Sequence, residues 1–119
     1  MTKFTKGFAY ALSGISYAFR SQVNMRFHIF STIIVIAASF FLQIDSAEWC
    51  IVLMCIGSVI SAELINTSIE VSIDMISPNY NEKAGHAKDL AAAAVLVVCI
   101  VSAIIGIVIF LPKIIRLFS

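Results

Sequence analysis

Apolar and polar positions alternate in four different ways along the chain. In the first stretch Phe4, Phe8, Leu12, Ile15 and Phe19 recur at helical spacing, with Lys3, Lys6, Ser13, Ser16 and Arg20 largely elsewhere on the wheel. This pattern, over 3–20 of a segment 1–24, predicts an amphipathic helix in a membrane interface or packed on a bundle. Residues 27–44 form a nearly unbroken apolar run, and about 20 residues cross a ~30 Å hydrocarbon core. Arg26 and His28 at its start read as headgroup anchors, and Gln43 and Asp45 flank its other end. Asp45-x-x-Glu48 has the form of a helix N-cap with a reciprocal partner, and Trp49 suits an interfacial anchor. A long helix over 47–76 follows and Pro78 stops it. A polar loop, Ser77 to Gly85, leads to a third span over 88–111, which Pro112 is expected to end. The predicted fold class is an all-α membrane protein: one interfacial amphipathic helix plus three membrane helices, forming one domain over 1–119.

The long helix carries the polar signal. Glu63, Asn66, Glu70 and Asp74 fall on one helical stripe with Thr67 beside them, while Leu64, Ile65, Ile69, Val71 and Ile73 suit lipid or other helices. At 1.5 Å per residue Glu63 lies ~21 Å and Glu70 ~31 Å along from Trp49. Glu63 is therefore expected just inside the bilayer, with Glu70 and Asp74 at its far surface. Ionisable groups at membrane depth are costly and mark functional sites. The plainer reading is a polar seam between helices, but three carboxylates on one face repel each other unless a cation joins them. Asp74, beyond the costly depth, serves equally well as a solvated helix exit.

Composition narrows the class. With 61% hydrophobic and 13% charged residues, and a mean hydropathy of +1.01, the chain is too apolar for a soluble domain. A net charge of +1 and the lack of a basic stripe argue against nucleic-acid partners. Cys50, Cys55 and Cys99 lie scattered in apolar runs, which suits packing rather than disulfide or metal chemistry. The first apolar run starts too late, and is too long, for a signal peptide. Lys3, Lys6, Arg20, Arg26, Lys83 and Lys88 fall on one side of the predicted spans, and Lys113 and Arg116 on the other. The positive-inside rule then places the N-terminus, the polar loop and Glu70 in the cytoplasm. Gly57, Ser58, Ser61 and Ala62, and the run Ala91 to Ala94, are small enough for close helix approach.

This topology gathers Glu63, Asn66, Glu70, Asp74, Lys88 and Asp89 on one side, together with Lys3, Lys6 and Tyr10. Such a set suits Mg-nucleotide chemistry: oxygen ligands share Mg²⁺ with phosphates, a lysine offsets phosphate charge, and a separate carboxylate takes a hydroxyl proton. No glycine-rich phosphate loop is present. By residues alone, a proton-coupled carrier fits too.

Glu63-Leu-Ile-Asn66-Thr-Ser-Ile-Glu70-x3-Asp74, followed by Gly85-His-Ala-Lys88-Asp89-x-Ala-Ala-Ala-Ala-Val95, resembles the prokaryotic diacylglycerol kinase family, which includes undecaprenol kinases of similar size. The resemblance covers nearly the whole chain. It implies a bacterial cell-membrane homotrimer with active sites shared between subunits, and transfer of the ATP γ-phosphoryl group to a lipid hydroxyl. By that resemblance Glu63 is the base, Asn66 supports it, and Glu70 binds metal. Lys88 and Asp89 contact the phosphates and order the site. Lys3 and Tyr10 on the first helix, and Asn79, Tyr80 and Asn81 in the loop, meet the nucleotide; Tyr10 also suits an interface without any ligand.

One departure stands out. The family's second metal-ligating glutamate corresponds to Gln22 here, whose amide oxygen can reach Mg²⁺ but brings no charge. The run Gln22-Val-Asn24-Met-Arg26-Phe-His28 otherwise resembles the undecaprenol-kinase branch. The expectation is an ATP- and Mg²⁺-dependent lipid kinase acting on undecaprenol or diacylglycerol. Its competitor is a non-catalytic helix-packing subunit or a small proton-linked carrier, told apart by proton flux without ATP.

Overall fold

Capping chemistry divides the chain into four helices: α1 Lys3–Ser21, α2 Val23–Phe41, α3 Ser46–Ile76 and α4 Glu82–Leu117. The computed structural model describes residues 2–119. Met1, the first residue of the expected interfacial segment, lies outside the described residues. Three of the helices, α2, α3 and α4, are long and apolar enough to cross a membrane. Their apolar side chains are largely exposed, as lipid-facing or subunit-facing surfaces require.

A single extended residue, Gln22, separates α1 from α2 (φ −116°, ψ 118°). Arg26 holds the bend. Its Nη1 donates to the carbonyls of Phe19 (2.9 Å) and Arg20 (3.1 Å), which the end of α1 leaves without helical partners. Ala18 and Met25 are buried beneath the same bend. The first span therefore starts at Val23, before the expected position 27, because Arg26 turns back to cap α1 and does not interrupt α2.

The turn between α2 and α3 is equally determined. Gln43 adopts a left-handed conformation (φ 52°). Its N–H donates to the Phe40 carbonyl (3.2 Å), and Ile44 N–H donates to that of Ser39 (3.3 Å), the bonding pattern of a Schellman motif. This motif ends α2 at Phe41, before the expected Ile44. Asp45 then opens α3 as anticipated. Asp45 Oδ1 accepts from Glu48 N–H (2.8 Å), and Glu48 Oε1 accepts from Asp45 N–H (3.0 Å). Ile44, Val52 and Ile109 form the small apolar core at this end, surrounded by Val35, Leu42, Trp49, Ile56, Ile105 and Phe110. Trp49 stands edge-on to Phe40, with ring centres 4.8 Å apart.

Helix α4 is longer than expected at both ends. Asn81 Oδ1 accepts from Lys83 N–H (3.0 Å) and Ala84 N–H (3.2 Å), so the helix starts inside the anticipated polar loop. At the other end it runs through Pro112 to Leu117. Proline removes one backbone donor, yet its fixed φ is helical, and Ile114, Ile115 and Leu117 continue the apolar pattern beyond it. Lys113 Nζ reaches Glu48 Oε1 at 3.1 Å, tying the far end of α4 to the first turn of α3.

Helix α4 packs along α3, and α2 also packs on α3, but no Cα of α2 lies within 8 Å of one in α4. The gap between them is an apolar groove of about 320 Å³. Helix α1 leaves the bundle to lie against α2 and α3.

Removing the reciprocal cap should be felt at the whole α2–α3 turn. Asp45→Ala is expected to lower stability by about 1 kcal/mol, measured as a lower thermal midpoint in detergent micelles with the helical signal retained.

Candidate active site

The stripe on α3 turns towards the bend between α1 and α2. Glu63, Asn66 and Thr67 are buried, Glu70 is half-buried, and Asp74 is exposed. Burial thus falls off along the stripe from Glu63 to Asp74. Thr67 spends its hydroxyl locally, donating to the Glu63 carbonyl at 2.9 Å.

Glu63 is the anomaly of the chain. Its side chain is 1% exposed, and neither Oε1 nor Oε2 has a hydrogen-bond partner. The nearest basic group among the described residues is the His28 ring of α2, whose Nε2 lies 3.7 Å from Oε2. Asn66 Oδ1 beside it is also buried and unpartnered. Buried polar atoms are almost always paired, so three acceptors left open near one another form a place prepared for a donor. His28 also lines the apolar groove between α2 and α4, with Phe27, Val35, Val59, Cys99 and Phe110 among its walls. The groove therefore runs up to the residue that faces Glu63.

One turn further along, Glu70 is held from two sides. Asn66 Nδ2 donates to its Oε1 (3.2 Å), and Gln22 Nε2 from the helix bend donates to its Oε2 (3.3 Å). The chain thus brings together Gln22 and Glu70, distant in sequence and both expected at a metal site. Among the described residues no cluster of three or more His, Cys, Asp or Glu side chains could hold an ion. One carboxylate with a neighbouring amide does fit Mg²⁺ in its usual form, which keeps waters and is shared with substrate phosphates.

The remaining candidates sit apart from this pair. Lys88 Nζ pairs with Asp74 Oδ1 across the ends of α3 and α4, at 39% and 64% side-chain exposure. A pair so open to water adds little stability. Asp89, Lys3, Tyr10, Asn79 and Tyr80 are exposed, and Asn81 uses its oxygen to cap α4. Arg26 is structural, as its hydrogen bonds show. His28 was expected only as a headgroup anchor; the structure turns it inwards onto Glu63. Its position on α2 carries no periodic signal, and only the packing of α2 on α3 reveals the pair.

Comparisons with known proteins show the family. A family profile described as prokaryotic diacylglycerol kinase matches residues 9–110. The chain is 39% identical over 113 residues to undecaprenol kinase of Bacillus subtilis, covering 95% of this chain and 92% of that protein. It is 37% identical over 111 residues to a diacylglycerol kinase of Synechocystis, covering 92% of this chain and 63% of that one. With diacylglycerol kinase of Escherichia coli it shares 27% identity over 103 residues, covering 87% and 84%.

A buried carboxylate with no partner weakens the fold that holds it. Glu63→Leu is expected to raise the thermal midpoint in detergent, by the equivalent of ~1–3 kcal/mol; an unchanged midpoint would show that Glu63 is satisfied in the folded protein.

Proposed function

The chain belongs to the prokaryotic diacylglycerol kinase family and is a lipid kinase, and from that premise we propose that it transfers the γ-phosphoryl group of ATP, with Mg²⁺, to the hydroxyl of a membrane lipid. Undecaprenol is the preferred acceptor over diacylglycerol, in keeping with the Asn24-x-Arg26-x-His28 run and the Bacillus subtilis relative. The observation that carries the reading is Glu63, a buried carboxylate with both oxygens free, facing the His28 ring that forms part of the wall of an apolar groove.

In this reading the lipid chain lies along the groove and its hydroxyl meets Glu63, which removes the proton as the oxygen attacks. Asn66, one turn from Glu63, braces Glu70. Glu70 would hold Mg²⁺, joined by Gln22 once its amide turns its oxygen rather than Nε2 towards that carboxylate, and the ion would supply charge neutralisation to the nucleotide phosphates. Lys88 exchanges Asp74 for phosphate, and Asp89 orders that lysine. Lys3, Tyr10, Asn79, Tyr80 and Asn81 line the approach of the nucleotide. The N-terminus and this site face the cytoplasm, where ATP is available.

Lys3 and Tyr10 are exposed and make no polar contact with Glu63 or Glu70 among the described residues. A homotrimer with shared sites would let α1 of one subunit serve its neighbour. The small face at Gly57, Ser58 and Ser61 supports this assembly: it is exposed, and a Cβ at Gly57 would meet nothing within 4 Å.

The deciding experiment follows labelled phosphate from ATP into undecaprenol and diacylglycerol side by side in mixed micelles. Phosphorylated undecaprenol is expected to form faster. Product on neither lipid, from folded protein with ample Mg²⁺, would overturn the kinase reading. Gln22→Glu supplies a second carboxylate opposite Glu70 and is expected to lower the Mg²⁺ needed for half-maximal rate several-fold. An unchanged requirement would remove residue 22 from the metal site.

A further inference from the structure

Taking a proton into a closed pocket leaves the problem of removing it. Glu63 is 1% exposed, so once protonated it cannot return its proton directly to water. Among the described residues the one basic group at hand is His28, with Nε2 3.7 Å from Glu63 Oε2 and 11% side-chain exposure. Its ring is flanked edge-on by Phe27, with centroids 6.0 Å apart, and its carbonyl accepts from Thr32 Oγ1 at 2.8 Å. No lysine or arginine lines the groove it borders, and its other titratable neighbours there are Cys55 of α3 and Cys99 of α4. Glu70, next along the α3 stripe, is engaged by Gln22 and Asn66. Helix α1 sends no side chain into the groove.

We infer that His28 is a positioning residue for Glu63: it orients the buried carboxylate towards the acceptor hydroxyl and takes up the proton that Glu63 removes. The inference rests on Glu63 acting as the base. As the acceptor O–H bond breaks, its proton goes to the Glu63 carboxylate. The new O–P bond forms while the bond from the γ-phosphorus to the departing ADP oxygen breaks. The Glu63 carboxyl then passes its proton to Nε2 of a neutral His28 ring whose own proton sits on Nδ1. The imidazolium, two residues from Arg26 at the start of α2, gives its Nδ1 proton to interfacial water and regains the Nδ1-protonated form by exchange there, so that His28 and Glu63 are both ready again. A gap of 3.7 Å is looser than a hydrogen bond, as acid–base pairs often are before substrate closes the site.

The test compares wild type, His28→Gln, His28→Ala and Glu63→Gln, with undecaprenol in mixed micelles at saturating ATP. Glutamine keeps an N–H donor near Glu63 but cannot accept the proton. His28→Gln is therefore expected to lower kcat by roughly 10²-fold, with little change in the KM for lipid and with an altered pH profile. His28→Ala is expected to regain rate when free imidazole is added. Folding is read separately, from helical signal and retained ATP binding. A folded His28→Gln with wild-type kcat and pH profile would overturn the inference. So would a loss confined to lipid KM, or one that imidazole does not relieve. Turnover retained by Glu63→Gln would instead bring down the base assignment itself. Its abolition beside a normal His28→Gln would leave the base in place and remove only His28.

Discussion

A buried carboxyl group with nothing to bond to is the constraint around which the rest of this chain is arranged. Water is excluded from Glu63, and lipid offers no donor. The groups that surround it must come from the protein, and they come from different helices. His28 approaches from α2, and Asn66 from the next turn of α3, where it braces Glu70 together with Gln22 of the bend. The bend that delivers Gln22 depends on Arg26 capping α1, and the tilt that delivers His28 depends on where α2 meets α3. The stability of the bundle is built at the opposite end, where the Schellman turn, the reciprocal cap and the Ile44–Val52–Ile109 cluster bind the helices. Rigid packing and reactive polarity are thus separated along one helix.

Some of this could be read from residue order alone, and the reasons are local. The bounds of α3 follow from Asp45, Glu48 and Pro78, which act within one turn of themselves. The common face of Glu63, Asn66 and Glu70 follows from helical periodicity, and their graded burial from distance along the axis. The start of α2 is different, because Arg26 looks like a polar boundary until its side chain is seen to fold back onto α1. Pro112 misleads for a related reason: a proline usually closes a helix, but the apolar residues after it and the Lys113–Glu48 pair carry α4 onwards.

The site divides in the same way. The meeting of Gln22 with Glu70 was anticipated only through family resemblance, since no spacing rule links residues on different helices. The His28–Glu63 pair was not anticipated, because it depends on the rotation of α2 against α3. Lys88 was expected at phosphates, and its partner in the structure is Asp74, the one stripe residue whose role periodicity could not decide.

The distance between α2 and α4 has a consequence for supply. A cleft between two membrane-crossing helices is reached sideways, within the plane of the bilayer, and its apolar lining suits an acceptor that never enters water. Under the proposed reading, encounters are then two-dimensional. The quantity that sets occupancy is the acceptor's mole fraction among its neighbouring lipids, and diluting the bilayer with inert lipid would starve the site even at constant molarity.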